Sequence, residues 1–251
     1  MSQELLTYLE DHSLDILHDA VADVHTHAGP TLQNISEEDL QVAMYTVLLK
    51  LIDTLRVRSG VVQQTSAHNV KEFYLALMKQ TMDYIDGQSS FTVGHTSAVV
   101  RHVVQIASRL GLSDSEVEDL EYVAWIHNIG LLNQTQNFGV LPRTLSSTEM
   151  KTARDHAVVG AEMVRPLSFL AHLVPIILYH HHHYDGSDGG PKGEQIPLGA
   201  RIICIADAYQ AMLEPRAYRP ALSRKEALLE LIRGKGVQFD PRLVILAHEL
   251  T

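Results

Sequence analysis

The sequence predicts an all-α protein, a helical bundle preceded by a smaller helical domain. From residue 88 onward, apolar residues recur at helical spacing, and several segments begin with a capping residue and acidic side chains. No window shows the alternation of apolar and polar residues that a set of strands requires. The 251 residues, 45% hydrophobic and 20% charged, have the composition of a globular protein.

Residues 1–87 are predicted to be helical but carry few residues suited to chemistry. Apolar spacing continues from Leu40 through Leu55, and Ser36 before it is a candidate N-cap. The stretch Gly87-Gln-Ser-Ser is the best candidate for a domain boundary. We therefore expect domains at 1–87 and 88–251. The first is a candidate regulatory domain or dimerisation surface, so a homodimer or a signalling protein is its expected partner.

Helices are expected to follow one another after this boundary, most of them between recognisable capping or breaking residues. Ser146-Ser-Thr-Glu149 is a capping box, and Pro175 suits the first turn of a helix. The expected helices are His95 to Leu110, one from Ser113 or Ser115, one after Ser146 with Ala153, His156 and Gly160 on one face, one from Leu173 to the histidine run, one from Pro197 through Asp207, and Arg224–Arg233, with a loop at 130–145.

Composition and terminal sequence exclude several classes of protein. A formal net charge of −10 argues against a protein that coats nucleic acid. The single cysteine, Cys204, excludes a disulfide framework and a thiolate metal site. The N-terminus has acids where a signal peptide needs bases, and the apolar windows Ala43–Leu55 and Phe169–Tyr179 are too short or too charged to span a membrane. We expect a soluble cytoplasmic protein whose partners include no nucleic-acid polymer and no membrane.

Histidines on successive helices, together with one helical aspartate, form the candidate site. His95, His127 and His156 lie on the apolar stripes of three helices, the run 180–183 ends a fourth, and Asp207 lies within a fifth. A single histidine on an apolar face is usually a core residue, but this succession reverses that expectation. Imidazole and carboxylate groups bind Fe, Mn and Zn. Helical bundles commonly build such sites from inward-facing side chains.

Other histidines are not expected to bind the same metal. His102 follows His95 by seven residues, which is about 10 Å along a helix, so we interpret it as a packing or surface residue. Neighbouring helical positions point about 100° apart, so two of the four histidines in 180–183 can serve as ligands. The sequence offers no partner for His172 or His248. The histidines of the first domain are interpreted as surface or capping residues, namely His12, His18, His25, His27 and His68.

The order of these motifs resembles the HD-GYP family, bacterial phosphodiesterases of the HD superfamily that hydrolyse cyclic di-GMP. The resemblance covers about residues 90–251. It rests on Gly94-His95, His127-Asn128-Ile129-Gly130, His156 with Gly160-Ala161-Glu162, His180-His181, Asp185-Gly186-Ser187, the segment from Ile196 to Ile202, Ala206-Asp207-Ala208-Tyr209, Arg216 to Ser223, and Phe239-Asp240-Pro241.

The resemblance implies hydrolysis of cyclic di-GMP or a related small nucleotide at a centre of two or three iron or manganese ions. A water bridging the metals is the implied nucleophile. The metal ligands implied by motif match are His95, His127, Asn128, His156, His180, His181 and Asp207. Arg216 and Arg219 are candidates for binding distal phosphate or guanine groups, or else are solvated; Lys192 and Arg143 are weaker candidates. Arg201 is equally explained by a structural ion pair.

This chain departs from the family pattern, so the resemblance implies an unconventional member with a degenerate Gly-Tyr-Pro motif. Asn128 replaces the bridging aspartate, and its neutral amide lacks the second anionic oxygen of a good bridge. Phe91 stands where three-metal members have glutamate, so we expect two metal ions. The other departures are Leu131 for lysine, His182 for the glutamate of His-His-Glu, and Asp188-Gly189-Gly190-Pro191 for the Gly-Tyr-Pro loop.

Several alternatives remain open at the level of sequence. The protein could be a metal-bearing sensor or adaptor for cyclic di-GMP with little or no turnover, or it could hydrolyse another phosphate ester. The ligand pair could be His182-His183 instead of His180-His181, and Asp185 could have a structural role in its turn. Asp23-Val-His25-Thr-His27 is typical of barrel amidohydrolases, but no strand–helix repeat follows it.

Overall fold

A computed structural model describes residues 12, 79, 81–83, 85–87, 92–133, 143–165 and 168–247. Predictions for most of residues 1–87, for Phe91, for His248 and for most of the loop at 130–145 lie outside these described residues. The chain divides into two compact units, Met1–Leu77 with Met163–Ala171 and Met78–Glu162 with His172–Thr251. Every candidate site residue belongs to the second unit, and the predicted boundary at residue 87 stays a prediction.

The described residues are mostly helical, which confirms the predicted all-α class. They contain no strand, and two isolated bridges join Arg216 to Arg219 and Lys235 to Phe239. The helices are α1 (His95–Arg109), α2 (Asp114–Ile126), α3 (Ser147–Arg154), α4 (His156–Val164), α5 (Val174–Tyr179), α6 (Leu198–Leu213), α7 (Arg224–Arg233) and α8 (Pro241–Ala247), with short 3-10 helices at Ile129–Asn133, Ser168–Leu173 and Gly193–Gln195.

Capping boxes begin three of these helices at the residues where the sequence predicts helix starts. The side chains of Ser113, Ser146 and Ser223 each accept a hydrogen bond from the backbone of a glutamate three residues later, and that glutamate returns the contact. Each N-cap stabilises its helix by about 1 kcal/mol. The caps fix where α2 and α3 begin. His127 and His156 follow the opposite ends of these two helices, so the caps also help to place both histidines.

The helix predicted to follow Ser146 is two helices, α3 and α4, because its backbone hydrogen bonding changes before His156. The ring Nδ1 of His156 donates to the carbonyl of Ala153 at 2.5 Å. A continuous helix would offer that carbonyl to the amide of Ala157. The ring of His156 therefore contacts the last turn of α3, and α4 begins at this residue.

Helix α6 lies at the centre of the second unit and packs against α1, α5, α7 and α8. Its residues Ile202, Ile203, Ile205 and Ala206 are completely buried. Burial of an isoleucine side chain contributes about 2 kcal/mol, so this helix holds its position firmly. Asp207 follows these residues directly, which explains how one carboxylate reaches the interior. No helix within the described segments combines the length and apolar character needed to cross a bilayer.

A buried ion pair connects α6 to the start of α8. Arg201 donates to Asp240 Oδ2 at 2.5 Å and to the carbonyl of Ile196 at 2.9 Å. Both side chains of the pair are almost fully buried. Arg201 therefore has the structural role that the sequence allowed, and it is committed to the packing of the second unit.

Candidate metal centre

Two groups of three side chains converge inside the second unit. The first group contains His95 from the start of α1, His127 from the end of α2 and Asp207 from α6, with potential ligand atoms all within 4.8 Å of one another. His95 Nε2 lies 3.0 Å from Asp207 Oδ1, and His127 Nε2 lies 3.9 Å from the same oxygen. We call these residues the acidic triad.

The second group contains histidines alone, His156, His180 and His181, and we call it the histidine triad. His156 Nε2 lies 3.4 Å from His180 Nε2 and 3.2 Å from His181 Nε2. The two triads are neighbours, because the rings of His127 and His180 have centroids 5.3 Å apart. The structure thus brings together six of the seven residues that the resemblance assigned as ligands.

Three of these histidines are oriented in the same way, each by a carbonyl three residues earlier at a helix end. The Nδ1 atoms of His127, His156 and His180 donate to the carbonyls of Ala124, Ala153 and Ile177 at 2.7, 2.5 and 2.6 Å. A neutral imidazole that donates from Nδ1 carries a bare lone pair on Nε2. The Nε2 atoms of His156 and His180 therefore face each other as lone pairs at 3.4 Å, and His127 Nε2 carries a lone pair as well.

This donor set fits a metal ion. The facing lone pairs of His156 and His180 Nε2, 3.4 Å apart, repel each other unless a cation lies between them, and His127 Nε2 is buried with no hydrogen-bond partner within the described residues. Neutral imidazole and carboxylate groups are the ligands of iron, manganese and zinc. Carbonyl groups on the opposite ring nitrogen are the usual means of orienting such ligands.

Burial and neighbouring carboxylates together give the histidine triad and His95 opposite proton affinities. In the histidine triad, burial lowers the pKa of His181 to about 3, and nearby His156 acts in the same direction. Burial also lowers the pKa of His156 and lowers that of His180 well below its ordinary value. In the acidic triad, burial opposes the charge on His95, but hydrogen bonds to Asp207 and Glu214 outweigh it and raise the pKa of His95 to about 10.

Asp207 remains ionised despite its surroundings. Burial alone would raise the pKa of Asp207, but the adjacent His127 and His95 hold it well below the usual range. The charge of Asp207 also acts on His156 and His181, raising the pKa of each against the larger effect of burial. One carboxylate therefore influences both triads.

We expect the metal-free protein to lose stability in mild acid. The histidine triad stays neutral in the folded state, but the same histidines protonate in the unfolded chain below about pH 6.5. Above that pH they are neutral in both states, and they do not reduce the free energy of unfolding. As the pH falls from about 6.5 toward the pKa of about 3 for His181, protonation of this residue in the unfolded chain lowers the free energy of unfolding by about 1.4 kcal/mol per pH unit, and the lowered pKa values of His156 and His180 act in the same direction. Urea unfolding of chelator-treated protein at pH 6.5 and 5.0 measures this slope.

The matched variants for this experiment are His181→Gln and His172→Gln. His181→Gln removes a buried titrating group and should reduce the pH dependence. His172 is exposed and pairs with Asp119 at 3.0 Å, so its replacement should leave the slope nearly unchanged. His95 contributes no slope in this window, because its raised pKa makes it protonated in both states below about pH 6.5. Equal slopes in wild type and His181→Gln would contradict the assignment.

The structure places the two neighbouring histidine pairs in different surroundings. His180 and His181 face His156, whereas His182 and His183 face the following turn. His182 Nδ1 lies 3.1 Å from Asp188 Oδ2, and His183 Nδ1 lies 3.1 Å from Ser187 Oγ. The pair that approaches His156 is therefore His180-His181 and not His182-His183.

Asn128 and Asp185, two further residues singled out in the sequence, lie in different surroundings. Asn128 is 9% exposed and directly follows His127, and its backbone carbonyl accepts a hydrogen bond from Leu131 at 2.9 Å. Its role as a metal ligand stays a prediction. Asp185 is exposed and accepts the backbone N–H of Ser187 at 2.9 Å, which is the structural role in a turn that the sequence allowed.

The candidate substrate residues differ in how their cationic groups are engaged. Arg219 donates to four carbonyls at the carboxyl end of α6 and beyond it, those of Ala211, Met212, Glu214 and Pro220 at 2.8–3.4 Å. Arg143 makes two hydrogen bonds to Glu149 at 2.7 and 2.8 Å. These contacts favour structural roles for both. Arg216 donates to Glu214 Oε2 at 3.1 Å, and Lys192 is exposed, so substrate contact by either stays a prediction.

Sequence reasoning missed two side chains at this centre. Glu214 lies seven residues after Asp207, two turns along the same helical face, and both of its carboxylate oxygens reach His95 Nδ1 at 2.9 and 3.0 Å. That spacing was the available signal. Arg154 ends α3 two residues before His156, is half-buried, and its positive charge helps lower the pKa of His181. No sequence motif distinguished it from other helix-ending arginines.

Comparison with known proteins places the match over the same part of the chain. A family profile described as HD domain matches residues 79–243. The chain is 34% identical over 174 residues to the cyclic di-GMP phosphodiesterase response regulator RpfG of Xanthomonas campestris pv. campestris, covering 68% of this chain and 45% of that protein. It is 30% identical over 233 residues to a probable cyclic di-GMP phosphodiesterase of Vibrio cholerae, covering 88% and 51%.

A solved structure supports the fold. It is an HDG"Y"P protein from Bdellovibrio bacteriovorus, which matches with a TM-score of 0.56 at 14% sequence identity and covers 95% of this chain and 80% of that one. At this identity the likeness concerns the fold alone. The chain spans about half the length of the curated relatives described above.

Proposed function

Because this chain belongs to the HD domain family and resembles its HD-GYP members in particular, we propose that it is a metal-dependent phosphodiesterase that hydrolyses cyclic di-GMP. The observation that carries the proposal is the pair of adjacent triads, one containing a carboxylate and one built from neutral histidines. Relatives at 34% and 30% identity that are named for this activity supply the substrate class.

The two triads would hold two metal ions, with iron or manganese as the expected identity. His95, His127 and Asp207 would hold one ion, and the histidine triad would hold the other. Asn128 is proposed as an additional neutral oxygen ligand beside His127. Bound metal ions would lower the pKa of a water molecule and neutralise charge on the phosphoryl oxygens of the substrate.

The protein's own groups prepare the site for an anionic substrate. The histidine triad stays neutral because burial lowers the pKa of each member, so its lone pairs remain available near neutral pH. Asp207 supplies the negative charge that binds cations and acts on both triads.

Arg154 adds a positive charge near His181, and we propose that it takes the place of the family lysine that is Leu131 here. Arg216 and Lys192 are the proposed contacts for the more distant phosphate or guanine groups.

The direct test combines metal analysis with an assay of hydrolysis on one sample of untagged protein purified without chelator. Two equivalents of iron or manganese together with the linear dinucleotide product would support the proposal. Protein that contains two equivalents and binds cyclic di-GMP without releasing product would favour a sensor. Protein that cannot be loaded with metal would contradict both.

The sensor is the second candidate function, and a specific observation motivates it. Asn128 replaces the aspartate that bridges the metals in the family, and the position of the family lysine is the apolar, half-buried Leu131. An amide offers a neutral oxygen in place of an anionic one. Reduced turnover with retained binding is the expected consequence if Asn128 limits the chemistry.

Asn128→Asp is expected to raise the rate of cyclic di-GMP hydrolysis by about tenfold, or about 1.4 kcal/mol of activation free energy. The change is isosteric and adds an anionic oxygen at a nearly buried position next to His127, where we propose an additional metal ligand. The same charge should destabilise the metal-free protein, since a buried unpaired carboxylate is unfavourable. Hydrolysis assays and urea unfolding with and without Mn²⁺ measure the two effects. A variant that is slower than wild type at full metal occupancy would contradict this prediction.

A further inference from the structure

A buried carboxylate outside both triads is bound to one of the candidate ligands. Glu214 follows the last residue of α6, and its side chain is 11% exposed. Its two oxygens lie 2.9 and 3.0 Å from His95 Nδ1, on the side of the ring opposite Nε2. His95 Nε2 lies 3.0 Å from Asp207 Oδ1. The imidazole of His95 is thus held between a carboxylate of the acidic triad and a carboxylate that cannot belong to it.

Glu214 is itself held by two donors. Gln210, one turn earlier on α6, donates from Nε2 to Glu214 Oε1 at 2.9 Å. Arg216 donates to Glu214 Oε2 at 3.1 Å. Each oxygen of Glu214 therefore has a donor of its own in addition to His95. A carboxylate with both oxygens engaged has little rotational freedom, so its position fixes the plane and tilt of the ring.

The chain of contacts continues back to α1. His102 Nε2 lies 3.2 Å from Gln210 Oε1, and the ring of His102 packs edge-on against Tyr209 with centroids 5.2 Å apart. Because Gln210 accepts from His102 through its oxygen, its amide nitrogen points toward Glu214. The residues His95 and His102 of α1 are joined through Gln210 and Glu214 of α6. His102, expected to be a packing residue, orients the amide that holds the carboxylate.

We propose that Glu214 is a positioning residue for His95 and thereby sets the affinity of the acidic triad for a divalent metal ion. The inference rests on the proposed function, because it concerns the metal position assigned to His95, His127 and Asp207. The other three ligand histidines with a described orienting contact use backbone carbonyls, whereas His95 uses a side chain. A single substitution outside the ligand set can therefore change the metal affinity of the acidic triad.

The physical basis is the effect of a carboxylate on an imidazole ligand. A carboxylate that accepts from Nδ1 fixes the tautomer, directs Nε2 at the metal and increases its electron donation. Loss of such a contact typically lowers metal affinity by about 10–100-fold. Glu214→Gln keeps an oxygen that can accept from Nδ1 but removes the charge. Glu214→Ala removes both, so the pair separates orientation from charge.

The experiment is calorimetric titration of Mn²⁺ into chelator-treated full-length wild type, Glu214→Gln, Glu214→Ala and the control Glu194→Gln. Glu194 is exposed and pairs with Arg242, so its replacement removes the same charge from a side chain that makes no hydrogen bond to His95. We expect two equivalents in wild type and in the control. In Glu214→Ala one equivalent should weaken by about 10–100-fold while the other stays within about twofold, and Glu214→Gln should fall between.

The possible outcomes separate this inference from the proposed function. If wild type binds two equivalents and Glu214→Ala binds both with unchanged affinity, the inference is wrong and the proposed function is unaffected. If both equivalents weaken equally, Glu214 has a general structural role and the inference is also wrong. If wild type binds no Mn²⁺, the proposed function and the inference fail together. Partial recovery of the weakened equivalent in Glu214→Gln is the result that a merely structural role would not produce.

Discussion

Replacing Asp207 with alanine is expected to remove tight metal binding from the acidic triad and to lower phosphodiester hydrolysis by more than about a hundredfold. Asp207 is the one carboxylate within the two triads, and its charge acts on His95, His127, His156 and His181. Loss of an orienting residue alone costs about 10–100-fold in affinity or activity, and loss of a direct ligand exceeds that range. Metal content after dialysis and initial rates of hydrolysis measure the effect.

Asp207→Asn is the matched variant for this prediction. The amide preserves size and one oxygen but lacks the negative charge, so it should retain the helical packing of α6 and still lose most of the metal bound by the acidic triad. Helical content by circular dichroism should be unchanged in both variants. The control is Asp119→Asn, a half-buried position outside both triads that pairs with His172. Full metal content in Asp207→Ala would show that the site has been assigned to the wrong residues.

The locations of three candidate ligand histidines follow from where helices end. The last carbonyls of a helix have no intrahelical partner. His127 and His180 stand at the C-caps of α2 and α5, where their rings take one of these carbonyls. His156 does the same at the junction of α3 and α4. The same contact that satisfies a carbonyl at the helix end therefore also orients the histidine ring. As a result, the Nε2 atoms of the three histidines are directed to one region.

This coupling explains how much of the site the sequence could predict. Apolar periodicity and capping signals locate the helix ends, so the histidines that follow them were identifiable as a set. The sequence could not decide between His180-His181 and His182-His183, because that depends on how the chain leaves α5 and enters its turn. It also could not separate the helix after Ser146 into α3 and α4, because the helical spacing of Ala153, His156 and Gly160 continues across the junction.

Glu214 shows a different limit of sequence reasoning. An i, i+7 relation to Asp207 places Glu214 on the same helical face, but many surface glutamates satisfy that relation. What distinguishes Glu214 is the partner on another helix, His95, together with Gln210 and Arg216 that hold its oxygens. Contacts between distant parts of the chain carry that information, and periodicity within one helix does not.

The approach of the segment after His127 to α4 depends on a glycine, and we expect Gly130→Ala to unfold or strongly destabilise the second unit. A Cβ at Gly130 would lie 2.0 Å from the carbonyl oxygen of His156 and 2.6 Å from the backbone nitrogen of Gly160. Both atoms are backbone, so neither can move without displacing α4. Overpacking a core costs about 1–3 kcal/mol and more when backbone must shift, so a loss of about 3 kcal/mol or more is expected.

The same displacement would reach the metal centre, because the clash is with the backbone of a histidine-triad residue. The 3-10 helix from Ile129 begins just after His127, so separating it from α4 moves His127 and His156 apart. Gly130→Ala that remains folded should therefore also bind less Mn²⁺ than wild type. Urea unfolding of the metal-free protein gives the loss of stability, and calorimetric titration gives the loss of metal.

Gly87→Ala is the control that separates steric conflict from the general effect of replacing glycine. Gly87 is helical and exposed, and a Cβ there would meet no atom within 4 Å. Replacing such a glycine with alanine should leave stability unchanged or raise it by up to about 1 kcal/mol, since alanine restricts the unfolded chain. If Gly130→Ala behaves like Gly87→Ala in both measurements, the close contact between the two segments does not exist in solution. The relative position of His127 and His156 would then need another explanation.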